Sequence, residues 1–227
     1  MGNKNASFAG KTLFVDLSKG EIWTKPQPQE EAAAMIGGGG LNAKLALELI
    51  PPKISPLSPK NALIIGAGPL VGTGLMSSPK TVLTTKGALT GTILSSPAGH
   101  FGPALKRAGY DQLAVTGKAS SPVYLQINDE EVRLCSAEQL WGKDIFEATE
   151  ILWQLHPNST VACIGQAGEN QVAFANILIN KEATWCRGGP GAVMGSKNLK
   201  AIVVRGNSRV PLADGERFKA LAKKCYE

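Results

Sequence analysis

Two glycine-rich runs carry the strongest hint of chemistry in this chain of 227 residues. Gly66-Ala67-Gly68-Pro69-Leu70-Val71-Gly72 follows an apolar run, the setting in which a glycine turn offers backbone amides to a pyrophosphate. Its last glycine falls one position late for the dinucleotide pattern and Pro69 spoils the turn, so that binding mode is excluded. Arg187-Gly188-Gly189-Pro190-Gly191-Ala192-Val193-Met194-Gly195-Ser196-Lys197 superficially resembles a P-loop, but ends Gly-Ser-Lys where a P-loop requires Gly-Lys-Ser. A more general feature survives. The uncharged glycine-rich segments 61–79, 87–105 and 188–196 are bounded by Lys60 and Lys80, Lys86 and Lys106, and Arg187 and Lys197. Exposed amides flanked by cations make concavities for phosphate groups.

Nothing else assembles into a catalytic set. His100 reads as a helix-start or packing residue, and His156, before Pro157, as a loop residue. Asp111 and Glu169 lie beside turns, where carboxylates tie down backbone amides. Cys186, Arg187 and Lys181 form a trio in which cations would lower a thiol pKa, but no base accompanies them in sequence. Cys135, Cys163, Cys186 and Cys225 contain no C-x-x-C pair, so no metal cluster is expected, and unspaced thiols fit a reducing, cytoplasmic setting. The net charge of +6 comes from scattered cations without interleaved aromatics, which argues against nucleic acid. The uncharged stretch 61–79 is too rich in Gly and Pro for a spanning helix, so no membrane association is expected.

The elements that must hold these loops read as α+β with mixed pairing. Strand–turn–strand patterns occur at Lys11–Leu17 with Glu21–Thr24 and again at Pro122–Ile127 with Glu131–Leu134, a repetition that suggests two related halves. Helices are expected at Gln29–Met35, Leu41–Leu49 after a Gly37–Gly40 break, Phe101–Ala108, Ala137–Leu140 and Asp144–Leu155. Further strands are expected at 62–65, 112–116, 161–164 and 201–205, and an amphipathic helix opens at Asp214. Glycine stands at 26 residues where about 16 would be ordinary, so backbone geometry dictates many positions.

Taken in order, Gly68-Pro69-Leu70-Val71-Gly72-Thr73-Gly74, Ala108-Gly109-Tyr110-Asp111, Leu140-Trp141-Gly142-Lys143, Ile164-Gly165-Gln166-Ala167-Gly168-Glu169-Asn170 and the run from Arg187 to Ile202 resemble the N-terminal domain of the aldehyde ferredoxin oxidoreductase family. The resemblance covers about residues 8 to 211. It implies two pseudo-symmetric β-sheet halves with short helices, forming a base domain over residues 1–211. Residues 212–227 would then be a terminal helix or the start of a following helical domain.

The resemblance also implies a tungsten or molybdenum bis-pyranopterin, with Mg2+ bridging its phosphates, that oxidises aldehydes to carboxylic acids. Electrons would pass through a 4Fe-4S cluster to ferredoxin. The cluster ligands have no counterpart here, so they would lie in further catalytic domains or a separate cluster-binding subunit, and the assembly is a possible oligomer. The alternative is a non-catalytic binding or scaffold protein derived from the family. By this resemblance Lys80 stands where the family has an arginine, keeping the charge but losing the bidentate fork. Pro97 aligns with a residue whose carbonyl holds Mg2+, and Gly99 with a pterin-contacting glycine. The family's Arg-Ala-Ala-Gly-Arg-Gly-Gly becomes Ala183-Thr184-Trp185-Cys186-Arg187-Gly188-Gly189, with the Thr184 carbonyl as the second Mg2+ ligand. Trp185 and Cys186 are expected to add bulk on the cofactor side, and His100 replaces a glycine. No catalytic residue is expected within the chain.

Overall fold

The computed structural model describes residues 6–225. Its first sheet is built from β1 (Lys11–Asp16), β2 (Glu21–Pro26), β3 (Leu63–Ala67), β4 (Thr81–Lys86), β5 (Ile93–Ala98) and β6 (Gln112–Thr116). The second comprises β7 (Val123–Asn128), β8 (Glu131–Ser136), β9 (Thr160–Cys163), β10 (Ile177–Ile179), β11 (Ala183–Trp185) and β12 (Leu199–Arg205). Helices α1 (Gln29–Met35), α2 (Gly38–Leu49), α3 (Phe101–Arg107), α4 (Ile145–Leu155), α5 (Gln166–Glu169), α6 (Pro190–Ser196) and α7 (Gly215–Lys224) connect or follow them.

The repeated hairpin is the visible part of a complete duplication. The first sheet runs β2-β1-β6-β3-β4-β5 and the second, read from its other edge, β8-β7-β12-β9-β10-β11. Strand for strand the order matches, and so do the directions. In each half the opening hairpin is antiparallel, its first strand pairs in parallel with the last strand, and the remaining pairs are antiparallel. Helices α3 and α6 occupy the same place in the two halves, between the fifth and sixth strands, and each starts at a left-handed residue, His100 and Gly189 respectively.

The period-two alternation of the strands separates three cores. Leu13, Val15, Leu63, Ile65, Leu113 and Val115 of the first sheet face Leu125, Ile127, Ile177, Ile179, Ile202 and Val204 of the second, with α3 and α6 inserted between them. The intervening residues Phe14, Ile64 and Ala114 pack beneath α2, while Tyr124, Val161, Cys163 and Val203 pack beneath α4. At about 1.5–3 kcal/mol for each large side chain withdrawn from water, the shared central layer dominates cohesion. Trp185 is fully buried there, edge-on to Phe101 with ring centroids 5.2 Å apart, and its Nε1 donates to the Thr81 carbonyl at 3.2 Å.

Several expectations need correction. The glycine run is not a break throughout: Gly37 and Gly38 have positive φ, but α2 already begins at Gly38. Residues 137–140 form a turn, closed by Leu140 N donating to Ala137 O at 2.9 Å, because a strand precedes them and Gly142 follows at positive φ. Strands β4, β5, β10 and β11 were not expected. β10 and β11 have three residues each, and β5 carries Pro97, which an edge strand tolerates because its outer amides need no partner. Asp144 caps α4 by accepting from Glu147 N at 2.8 Å, and Asp214 caps α7 in the same way from Arg217 N at 2.9 Å.

Candidate functional site

The two junctions that leave β5 for α3 and β11 for α6 are equivalent in the duplicated fold, and the structure brings them together. β5 is one edge of the first sheet, β11 one edge of the second, and the two lie against each other. One side chain fastens the join: buried Ser96 accepts with its Oγ from Cys186 N at 3.2 Å and from Arg187 N at 3.3 Å. Along β5, Ser96 and Ala98 point inward and Pro97 is exposed. Thr81 pairs with Ala98, so Lys80 and Gly99 flank the same end of the β4–β5 ladder. Lys80, Pro97, Cys186 and Arg187 are exposed and Gly99 is half-buried. Among the described residues, neither Lys80 nor Arg187 is in an ion pair.

The glycines divide into two kinds. A Cβ at Gly99 would meet nothing within 4 Å, so the backbone is open to an approaching group. Gly188 and Gly189 are buried, with φ of +78° and +74°. A Cβ at Gly188 would strike Leu94, and one at Gly189 would overlap the Ala173 carbonyl. Their identity therefore follows from left-handed geometry and close packing within the protein. Gly66, in the rejected dinucleotide pattern, is likewise explained by the buried amide of Asn42, which occupies the space of its missing side chain.

Thr184 and Ala183 are half-buried on β11, and the Thr184 hydroxyl donates to the Ile177 carbonyl at 3.1 Å. Trp185, expected to add bulk at this face, turns into the central core instead, because alternation along β11 sends it inward. Cys186, the next residue, is exposed. The expected trio does not form: Lys181 pairs with Glu150 and lies 5.0 Å from the Trp153 ring centre.

Of the cations bounding the glycine segments, two serve the fold. Lys106 is buried among the carbonyls of Ser7 and Gly68 and 3.4 Å from Asp111, with burial pulling its ammonium below the ordinary lysine range and Asp111 opposing that shift. Lys197, fully buried, donates to the carbonyls of Asn61, Gly117 and Pro59 at 2.6, 3.1 and 3.3 Å. Asp111 and Glu169 act structurally, as their settings suggested. Asp111 accepts from Ala9 N at 3.0 Å and Gly10 N at 2.6 Å, and Glu169 accepts from Gly142 N at 2.8 Å and pairs with Lys200. His156 ends α4 and its Nε2 is 3.1 Å from the Tyr124 hydroxyl. Ser96 was missed by sequence reasoning, since a Ser95-Ser96 pair in an uncharged run carries no signal of its own.

A family model, the N-terminal domain of aldehyde ferredoxin oxidoreductase, matches residues 12–206. The chain belongs to that family. It is 43% identical over 221 residues to the tungsten-containing aldehyde ferredoxin oxidoreductase of Pyrococcus horikoshii, covering 96% of this chain and 36% of that protein. It is 33% identical to the WOR-like subunit of an aliphatic sulfonate oxidoreductase from Pyrococcus furiosus, covering 97% of this chain and 38% of that one. Among solved structures, the active-site complex BamBC of benzoyl coenzyme A reductase, in complex with 1,5-dienoyl-CoA, superposes with a TM-score of 0.93 at 39% identity. That match covers 96% of this chain and 34% of the other. The chain thus spans little more than a third of the length of the relatives it matches, and its fold is that of the family's N-terminal domain.

The face fits the cofactor that the family membership suggests. Pro97 and Thr184 lie on the facing edge strands, and backbone carbonyls are the hard oxygen donors that Mg2+ selects. Lys80 and Arg187 are exposed cations, the groups that phosphates require, and the backbone at Gly99 is open.

Proposed function

We propose that this chain is the cofactor-base domain of a tungsten- or molybdenum-pterin oxidoreductase that oxidises aldehydes to carboxylic acids with ferredoxin as acceptor. It would act together with further catalytic domains or a cluster-binding subunit. The observation that supports this reading is the Ser96 clamp, which ties the β5 edge to the backbone of Cys186 and Arg187 while Lys80, Pro97 and Arg187 stay exposed and the backbone at Gly99 stays open. A bound metal–pterin group would supply two-electron redox chemistry at the substrate carbon, and a 4Fe-4S cluster in the accompanying polypeptide would carry electrons onward.

Its residues bind and orient. Arg187, whose guanidinium can present two N–H donors, and Lys80, a point charge, would hold the phosphates of the bound group. The Pro97 and Thr184 carbonyls would hold Mg2+, and the buried side chains beneath the join keep both edges from spreading. The half-buried methyl of Ala183, where the resemblance implies an arginine, favours a second reading, a scaffold that binds no metal. Anaerobic purification of the chain, alone and together with the products of neighbouring genes, decides between them by counting tungsten, molybdenum and pterin per chain. Stoichiometric metal with two pterins is expected. A folded protein with neither in both preparations would reject the cofactor role.

A further inference from the structure

Of the edges of the two sheets, β5 and β11 lie against each other, which leaves β2 and β8 as the outer edges. β2 is the more exposed: all its residues but Ile22 are exposed, and among the described residues it pairs only with β1. An open strand is a template for another strand, and proteins commonly guard it with charges that repel a second copy. On β2 the charges do the opposite. Alternation puts Glu21, Trp23 and Lys25 on one face, with the tryptophan midway between a carboxylate and an ammonium. In antiparallel self-pairing about a two-fold axis through Trp23, normal to the sheet, each Glu21 stands opposite Lys25 of the second copy. Each Ile22 then stands opposite Thr24, and the two Trp23 rings meet. Other registers lose this match. Moving the axis by one residue sets Lys25 opposite Lys19, or Trp23 opposite Lys25, and a half-residue displacement turns the α2 side of one sheet to the core side of the other.

The Trp23 ring is held in place before any partner arrives. It stacks on Phe14 with centroids 5.3 Å apart and planes 10° from parallel, while 37% of the residue stays exposed. A large aromatic whose rotamer is already fixed loses little entropy on docking, the property of an interface anchor. β8, the equivalent edge of the second half, has no aromatic residue, and its Glu131 already pairs with Arg133 of the same strand. We propose that β2 is a dimerisation edge: two copies of this chain pair β2 to β2, antiparallel about Trp23, and join their six-stranded first sheets into one continuous sheet. β2 and β5 are opposite edges of that sheet, so the pairing lies away from Ser96 and Pro97 and depends on neither the metal nor the cofactor role.

Analytical ultracentrifugation of the 227-residue chain tests the pairing, in reducing buffer so that exposed Cys186 and Cys225 cannot cross-link copies. The parent is expected to dimerise reversibly. Glu21→Lys sets like charges opposite each other at both ends of the paired strands, and so does Lys25→Glu; each should weaken the dimer by about 10-fold or more. Glu21→Lys combined with Lys25→Glu should restore it. The two single variants, mixed, should form a heterodimer, because one then carries only lysines and the other only glutamates at the facing positions. Restoration in the double variant excludes a folding defect as the cause of the loss, since that chain carries both substitutions. A parent that stays monomeric at about 100 μM would overturn the proposal. So would a dimer indifferent to both single reversals, or one that the double reversal fails to restore.

Discussion

Lys197→Met tests whether the two halves are tied through their backbones. Lys197 follows α6 of the second half, yet its three partners, the carbonyls of Pro59, Asn61 and Gly117, all belong to the first. Methionine keeps the apolar stem and removes all three donors. At about 1 kcal/mol net for each hydrogen bond the loss comes to about 3 kcal/mol for the ammonium and about 2 for the neutral amine, which keeps two N–H donors, and in a chain of this size it lowers the melting temperature by about 4–12 °C. The pH dependence adds an independent sign. Burial pushes the Lys197 ammonium down to about 7 from its ordinary 10.5, with Asp16 pulling the other way. Between those values the unfolded chain binds a proton that the folded one has released, so the parent gains stability as pH rises, by up to about 1.4 kcal/mol per unit. The gap between parent and variant therefore widens from about pH 7 upward and is smallest in mild acid. Urea and thermal melts of both chains at about pH 6, 7.5 and 9 measure it. A variant as stable as the parent at about pH 7.5, or a gap that narrows as pH rises, would refute the tie.

Gly189→Ala forces a Cβ into the Ala173 carbonyl at a left-handed residue and should cost several kcal/mol, enough to lose a cooperative melt. Gly99→Ala has open space around it and should melt within about 2 °C of the parent, while lowering pterin and metal content if the cofactor role holds. A thiol-reactive probe at about pH 8, read by mass spectrometry on the native chain, should label exposed Cys186 and Cys225 and spare Cys163, which is fully buried with its thiol pushed up to about 12.

The legible parts of the fold are those with local signals. β1 and β2, with a glycine turn, and α4, with its aspartate cap, needed only neighbouring residues to specify them. β10 and β11 did not show, because three-residue strands have too few alternations to read, and β5 was hidden by Pro97. At the site, the motif order identified the family, and the fold leaves Lys80 and Arg187 exposed and the Gly99 backbone open. The pattern of cations flanking glycines was only half informative. Lys106 and Lys197 carry the same charge in sequence as Lys80 and Arg187, but their ammonium groups are consumed by carbonyls from distant segments. Only the fold distinguishes a lysine that can hold a ligand from one that holds the chain. Trp185 makes the same point, since alternation within a strand that could not be read decides which way it faces.

The packing of α3 and α6 has a consequence for how such a protein arises and folds. Each helix lies against the sheet of the opposite half as well as its own, α3 on β9 and β12, and α6 on β3. Neither half alone can cover its inner face, so a chain cut between β6 and β7 would yield two pieces that become ordered only by finding each other. A single ancestral unit with this strand order would have met the same demand by pairing with a second copy. Gene fusion then turns a concentration-dependent association into an intramolecular one, and frees the two equivalent junctions to diverge, one carrying His100 and the other Gly189 at the same step of the chain.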